Sequence, residues 1–151
     1  MRRILYLLII FTAYSCGKKH VYHEFQDVNV NNWASQDTLV YSVKIDESDK
    51  NFQYAISVRH QKDYEFSNLW LKMFIKGNGI DTSFRYEIPL FKADGKPFGK
   101  SSGSLCTQTV PLTTSLPLYS KGDYEIRIVQ LMRKDPLPGI KDVGVILDIR
   151  K

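Results

Sequence analysis

Cysteine is almost absent: the 151 residues hold two, at positions 16 and 106. A small scaffold stapled by several disulfides is therefore excluded. Histidine is nearly as scarce, at positions 20, 23 and 60. His20 and His23 stand near no cysteine but Cys16, so no zinc-binding spacing exists and no metal is expected. Long apolar runs are missing as well. The longest, "ILYLLIIFTAY" at residues 4–14, has 11 residues, where a membrane-crossing helix needs about 20. Charge of one sign is nowhere concentrated: 21 basic residues stand against 16 acidic ones, mostly dispersed. That is not the clustered basic face of a nucleic-acid binder, and no nucleic-acid partner is expected. No segment sustains a helical period over three turns, and no internal repeat is visible.

What is present begins at the N-terminus. Arg2 and Arg3 precede the apolar run, and small or polar residues then lead into Cys16, the layout of a secretory signal. Ala13 and Ser15 occupy the positions that a lipoprotein signal peptidase requires, so "TAYSC" looks like a bacterial lipobox. Ala13 replaces the usual Leu, and Tyr14 is bulky. The expectation is cleavage before Cys16, which then carries a thioether-linked diacylglycerol and an N-acyl chain; two or more chains anchor stably where one does not. The alternative is an ordinary signal peptide whose Cys16 survives by accident. The chain then divides into a signal peptide at 1–15, a lipidated tether at 16–22 and one domain at 23–151, long enough for a real core. Gly17 follows Cys16 where an inner-membrane retention signal would have Asp, and "GKKH" lacks the acidic run of surface-export signals. The favoured location is the outer membrane, facing the periplasm. Loss of Arg2 and Arg3 leaves 19 basic residues against 16 acidic, a net +3. Apart from the lipid on Cys16, no cofactor is expected. With Cys16 acylated, Cys106 in "SLCTQTV" has no partner and reads as a buried, inert thiol.

The body of the chain alternates with period two, the pattern of half-buried strands. "TLVYSVKI" puts Leu39, Tyr41, Val43 and Ile45 on one face, and "FQYAISVRH" does the same with Phe52, Tyr54, Ile56 and Val58. "NLWLKMFIKG" sets Leu69, Leu71, Met73 and Ile75 against Trp70 and Phe74. "SFRYEIPLF", "DYEIRIVQLM" and "VGVILDI" follow the same rule. With the Cys106 segment and residues 20–28 added, this predicts an all-β fold: an antiparallel β-sandwich of about seven or eight strands, immunoglobulin-like or jelly-roll-like. Turn-forming residues separate the strands in "DESDKN", "KGNG", "KADGKPFG" and "YSKGD". Two connections, 92–104 and 132–142, are longer than hairpins need, and such connections often carry function.

Several apparent motifs fail on context. Gly99-Lys100-Ser101-Ser102-Gly103 has the G-x-S-x-G spelling, but no helix follows and all three histidines precede Ser101, against the order a nucleophile elbow expects. Gly99-Lys100-Ser101 falls one residue out of phase with a phosphate-binding loop, because Asp94 stands where its first glycine belongs. "DESDKN" has Lys50 where a calcium loop needs an oxygen. No catalytic residues are therefore expected. Trp70 and Phe74 are the exceptional aromatics, set on a lysine-bearing face. They form either a second buried face or a partner-binding patch, and an exposed Trp70 could stack on a sugar ring.

Residues 131–149, "LMRKDPLPGIKDVGVILDI", resemble the C-terminal signature of the gliding-motility lipoprotein H family. The resemblance extends over nearly the whole chain, through the lipobox, Phe25 and Trp33, and is most specific at Met132, Arg133, Asp135, Pro136, Leu137, Pro138, Gly139, Ile140, Asp142, Val143 and Gly144. Ile146 and Leu147 stand where a basic residue is expected. The resemblance implies a non-enzymatic, lipid-anchored accessory of bacterial gliding motility and the associated type 9 secretion apparatus, with other envelope or gliding-machinery proteins as partners. The alternative is a periplasmic or surface glycan-binding β-sandwich. Pro136 and Pro138 stiffen the segment. Arg133, Asp135, Pro136, Leu137, Pro138, Gly139 and Asp142 therefore form a candidate partner-binding loop, or else a structural crossover in which Leu137 and Ile140 plug the end of the sandwich.

Overall fold

The computed structural model describes residues 21–46, 52–118 and 120–149. Among them are nine strands and no helix: β1 (Tyr22–Asp27), β2 (Leu39–Ile45), β3 (Phe52–Gln61), β4 (Asn68–Gly77), β5 (Ile80–Pro89), β6 (Lys100–Ser102), β7 (Leu105–Pro111), β8 (Gly122–Gln130) and β9 (Ile140–Ile149). Cys16, His20, the proposed tether up to residue 20 and most of the "DESDKN" turn lie outside the described residues.

All pairings are antiparallel, in two sheets ordered β1-β9-β3-β7-β6 and β2-β8-β4-β5. Apart from the β4–β5 and β6–β7 hairpins, each strand is followed by one in the opposite sheet. That alternation is the connectivity of a jelly roll, so the topology selects one of the two sandwich types that alternation alone leaves open.

The period-two pattern places the core between the sheets. β2 is buried and exposed at strictly alternating positions, and Leu69, Leu71, Met73 and Ile75 of β4 are all fully buried. Opposite them lie Tyr54, Ile56 and Val58 of β3 and Val143, Val145 and Leu147 of β9. Each such side chain contributes roughly 1.5–3 kcal/mol on leaving water. Phe52, Phe84 and Tyr86 are only partly buried against this core. Ile149 is 44% exposed because it ends β9 at the mouth of the sandwich.

The outer face of the five-stranded sheet is closed by its own side chains. Phe25 lies over Gly144, where a Cβ would come within 2.6 Å of the ring. The Arg59 guanidinium sits 5.5 Å from the Phe25 ring centre. Arg59 Nε donates to Asp142 Oδ1 at 2.8 Å, and its terminal nitrogen pairs with Oδ2.

Register also assigns the two ends of the sandwich. Tyr22 pairs with Leu147, and Phe52 with Ile149, so these positions share the end nearest residue 21. Asp27 and Gln61 lie at the opposite end, beside the start of β9. Tyr41 donates to the Val143 carbonyl at 2.7 Å, which puts the start of β2 at that end too.

Candidate functional site

The 131–139 connection is held at the end farthest from residue 21. Trp33 and Leu137, both buried, exchange backbone hydrogen bonds of 3.0 and 2.9 Å. Trp33 Nε1 donates to the Asp37 carbonyl at 3.0 Å, which satisfies the buried indole. Asp135 accepts from the Ser35 amide at 2.8 Å and the Ser35 hydroxyl at 2.5 Å. These bonds favour the carboxylate and hold the acid below its ordinary pKa. Gly139 has φ +90, and a Cβ there would meet Tyr64 Cδ2 at 2.9 Å. Its amide donates to the Val30 carbonyl at 2.6 Å.

The loop residues singled out in the sequence are thus divided. Leu137 and Gly139 are buried in the clasp, as is Ile140, while Pro138 is half-buried. Asp142 is buried on the outer face of the other sheet with Arg59. Asp135 is exposed but held by Ser35, and Arg133, Lys134 and Pro136 face solvent. Lys134 pairs with Glu65. The Asp135-Pro136 peptide is cis, and the chain leaves the clasp directly into β9.

Before the clasp, the same connection forms one wall of a cleft. The Leu131 amide donates to the Trp70 carbonyl at 2.8 Å, and the Trp70 amide donates to Met132 Sδ at 3.3 Å. Phe66, Trp70, Arg85, Leu131, Met132 and Arg133 enclose a volume of about 450 Å³. β4 supplies Trp70, β5 supplies Arg85, and the β3–β4 connection supplies Phe66, whose ring meets Tyr64 edge-on at 5.7 Å. Met132 is fixed further by its amide, which donates to Gln130 Oε1 at 2.6 Å.

Trp70 and Phe74 are both exposed, at 39% and 36%, so they do not form a second buried face. They are not in one site either. Phe74 lies farther along β4 beneath Lys72, whose Nζ is 4.5 Å from the ring centre, and borders a separate depression with Lys76, Asp81 and Arg127. The fold instead unites Trp70 with Arg133, two separately noted residues 63 positions apart. Phe66, Arg85 and Leu131 are lining residues that sequence reasoning did not single out. Arg85 carried a usable signal, since it alternates with Phe84 and Tyr86 and must point outward; Phe66 carried none.

The middle of the rejected G-x-S-x-G spelling is a short sheet strand. Ser101 belongs to β6, and its hydroxyl lies 3.2 Å from the Cys106 sulfur, which is fully buried. His60 is buried between Tyr64 and Phe91, and its Nδ1 lies 2.9 Å from the Gln61 carbonyl. Burial lowers its pKa. Among the described residues, no group of three His, Cys, Asp or Glu side chains could hold a metal ion.

Comparison with known proteins sets this geometry in a family. The chain is similar to two relatives: the gliding motility lipoprotein GldH homolog of Christiangramia forsetii, 28% identical over 150 residues, covering 93% of this chain and 89% of that one; and gliding motility lipoprotein GldH of Flavobacterium johnsoniae, 25% identical over 145 residues, with 95% and 89% covered. Among solved structures it is similar to a family GH115 4-O-methyl-alpha-glucuronidase with specificity for decorated arabinogalactans, at 11% identity and TM-score 0.46, covering 90% of this chain but 18% of that one. It is also similar to a family 35 carbohydrate binding module from Clostridium thermocellum, at 12% identity and TM-score 0.30, covering 81% and 97%. The GldH lipoprotein family matches residues 20–147, a span that takes in β1 to β8 and nearly all of β9. With the clasp and the cleft both inside that span, the chain belongs to the GldH lipoprotein family.

Proposed function

We propose that this protein is a non-enzymatic accessory of bacterial gliding motility and of the type 9 secretion apparatus associated with it, anchored by lipid on Cys16 to the outer membrane and facing the periplasm. The observation that carries the reading is the family match over residues 20–147, reinforced by relatives named as gliding motility lipoproteins. The fold adds a direction. Tyr22 follows Cys16 by six positions, a reach of about 20 Å at most, so the lipid holds the near end of the sandwich close to the bilayer. The ten-residue strands extend roughly 33 Å and carry the cleft at the opposite end, turned toward envelope protein partners. Apolar side chains and permanent positive charge make that cleft a binding surface rather than a place for bond-making.

Exposed Trp70 favours one other reading, a glycan-binding module. Binding of envelope oligosaccharides that is lost in Trp70→Ala, without any protein co-isolating, would favour it. The main reading is tested with Cys16→Ser: lipid labelling and surface spreading should both disappear while the domain stays folded. Unchanged membrane retention and labelling would overturn the anchor, and normal spreading of cells lacking the protein would overturn the motility role.

A further inference from the structure

The lining of the Trp70 cleft constrains what fits it. Four of its side chains, Phe66, Trp70, Leu131 and Met132, are apolar, and the two others are arginines. Lys134, next to Arg133 in the chain, is occupied by Glu65, and Arg127 of the same sheet as Trp70 is occupied by Glu125. Arg85 and Arg133 make no ion pair among the described residues. Arg85 also stands directly opposite Lys72 across the β4–β5 ladder, a like-charge arrangement that disfavours the sheet. Glu87, two residues along, accepts from Asn68 Nδ2 at 2.6 Å and makes no ion pair with either cation among the described residues. An anion bridging the rim would remove this repulsion.

The anion must come with an apolar body. A sugar ring would bring several hydroxyl donors, and no lining side chain offers an oxygen acceptor for them, so they would lose hydrogen bonds on entry. A large apolar side chain loses nothing there, and a neighbouring carboxylate can take a two-pronged bond from a guanidinium. Trp and Arg are also the residue types that dominate binding energy at protein interfaces. We propose that the cleft receives a Leu- or Phe-sized side chain from a partner protein, flanked within two residues by Asp or Glu, with Arg85 and Arg133 binding the carboxylate. This rests on the reading of the protein as a partner-binding envelope lipoprotein and names the chemistry of the partner segment.

The test places a photo-crosslinking residue in the full-length lipoprotein in its own cells, as Leu131→p-benzoylphenylalanine. The expected adduct is a peptide with an acidic residue within two positions of a large apolar one. Its yield should fall by about tenfold or more when Arg85→Glu and Arg133→Glu are combined, with thermal stability unchanged. Should the reversal unfold the domain, Arg85→Gln alone should still lower the yield. A glycan adduct, a peptide lacking carboxylates, a yield indifferent to the arginines, or no adduct at position 131 would each overturn the proposal. A second probe, Asn78→p-benzoylphenylalanine at the opposite end, separates the two levels. Protein adducts there alone would sink the cleft but spare the partner-binding reading, and none at either position would remove both.

Discussion

The two outer faces of the sandwich use the same chemistry to opposite ends. On the five-stranded sheet, Arg59 lies against Phe25 and is matched to Asp142, which is wholly buried beneath it. On the four-stranded sheet, Arg85 and Arg133 flank Trp70 with no acidic partner among the described residues. A matched arginine and aromatic close a surface, whereas an unmatched set leaves one open to a ligand. Arginine beside an aromatic is therefore no sign of a binding site by itself; the test is whether the charge is already satisfied.

Breaking the clasp should produce the largest effect, because it supports both the core and the wall of the open cleft. Trp33→Ala removes a fully buried indole packed beside Leu137 and should cost about 4 kcal/mol, read as a shift in the denaturant midpoint. The closed face comes next. Arg59→Met strands a buried carboxylate and should cost about 3 kcal/mol. Adding Asp142→Leu should restore most of that loss, since a well-packed apolar pair can replace a buried ion pair. If Arg59→Met proves neutral, the closed face is not held by that pair.

Acid sharpens the contrast. His60 is buried with its pKa lowered by desolvation, so the folded state holds it neutral. Below about pH 6.5, the ordinary histidine value, the unfolded chain gains a proton that the fold refuses. Its contribution is complete above that pH and is lost as pH falls toward the lower folded-state value. Unfolding measured between pH 8 and 5 should show this slope, and His60→Phe should flatten it. Ligand binding at the open cleft should not follow the same curve over that range, because its arginines stay charged throughout.

The smallest effect is expected where the open face is altered. Arg85→Met and Arg133→Met should each leave stability within about 0.5 kcal/mol while weakening capture of the partner segment. A loss of stability comparable to that of Arg59→Met would erase the distinction between the two faces.

Much of the architecture was legible because alternation is local. Whether Leu69, Leu71, Met73 and Ile75 face inward depends on their spacing along one strand, and the same spacing turns Trp70 and Phe74 outward. The choice of jelly roll over immunoglobulin-like order was not legible, because period two says nothing about which sheet receives the next strand. The 131–149 segment was recognisable as special from its prolines and its family resemblance. Which of its residues face solvent was not, because Leu137 is drawn inward by Trp33, and Asp142 by Arg59, across 104 and 83 positions of chain.

The sequence by itself determined every strand but the short β6, the core-facing side of most of them, the family and the cysteine expected to carry the anchor, all of which depend on neighbouring residues or a continuous motif. Only the tertiary structure decided that Arg133 meets Trp70 and Arg85 in one cleft while Asp142 is locked away on the opposite sheet. Such pairings depend on strand register and on the crossing of the chain between sheets, and these are settled by the packing of the whole core rather than by any local run of residues.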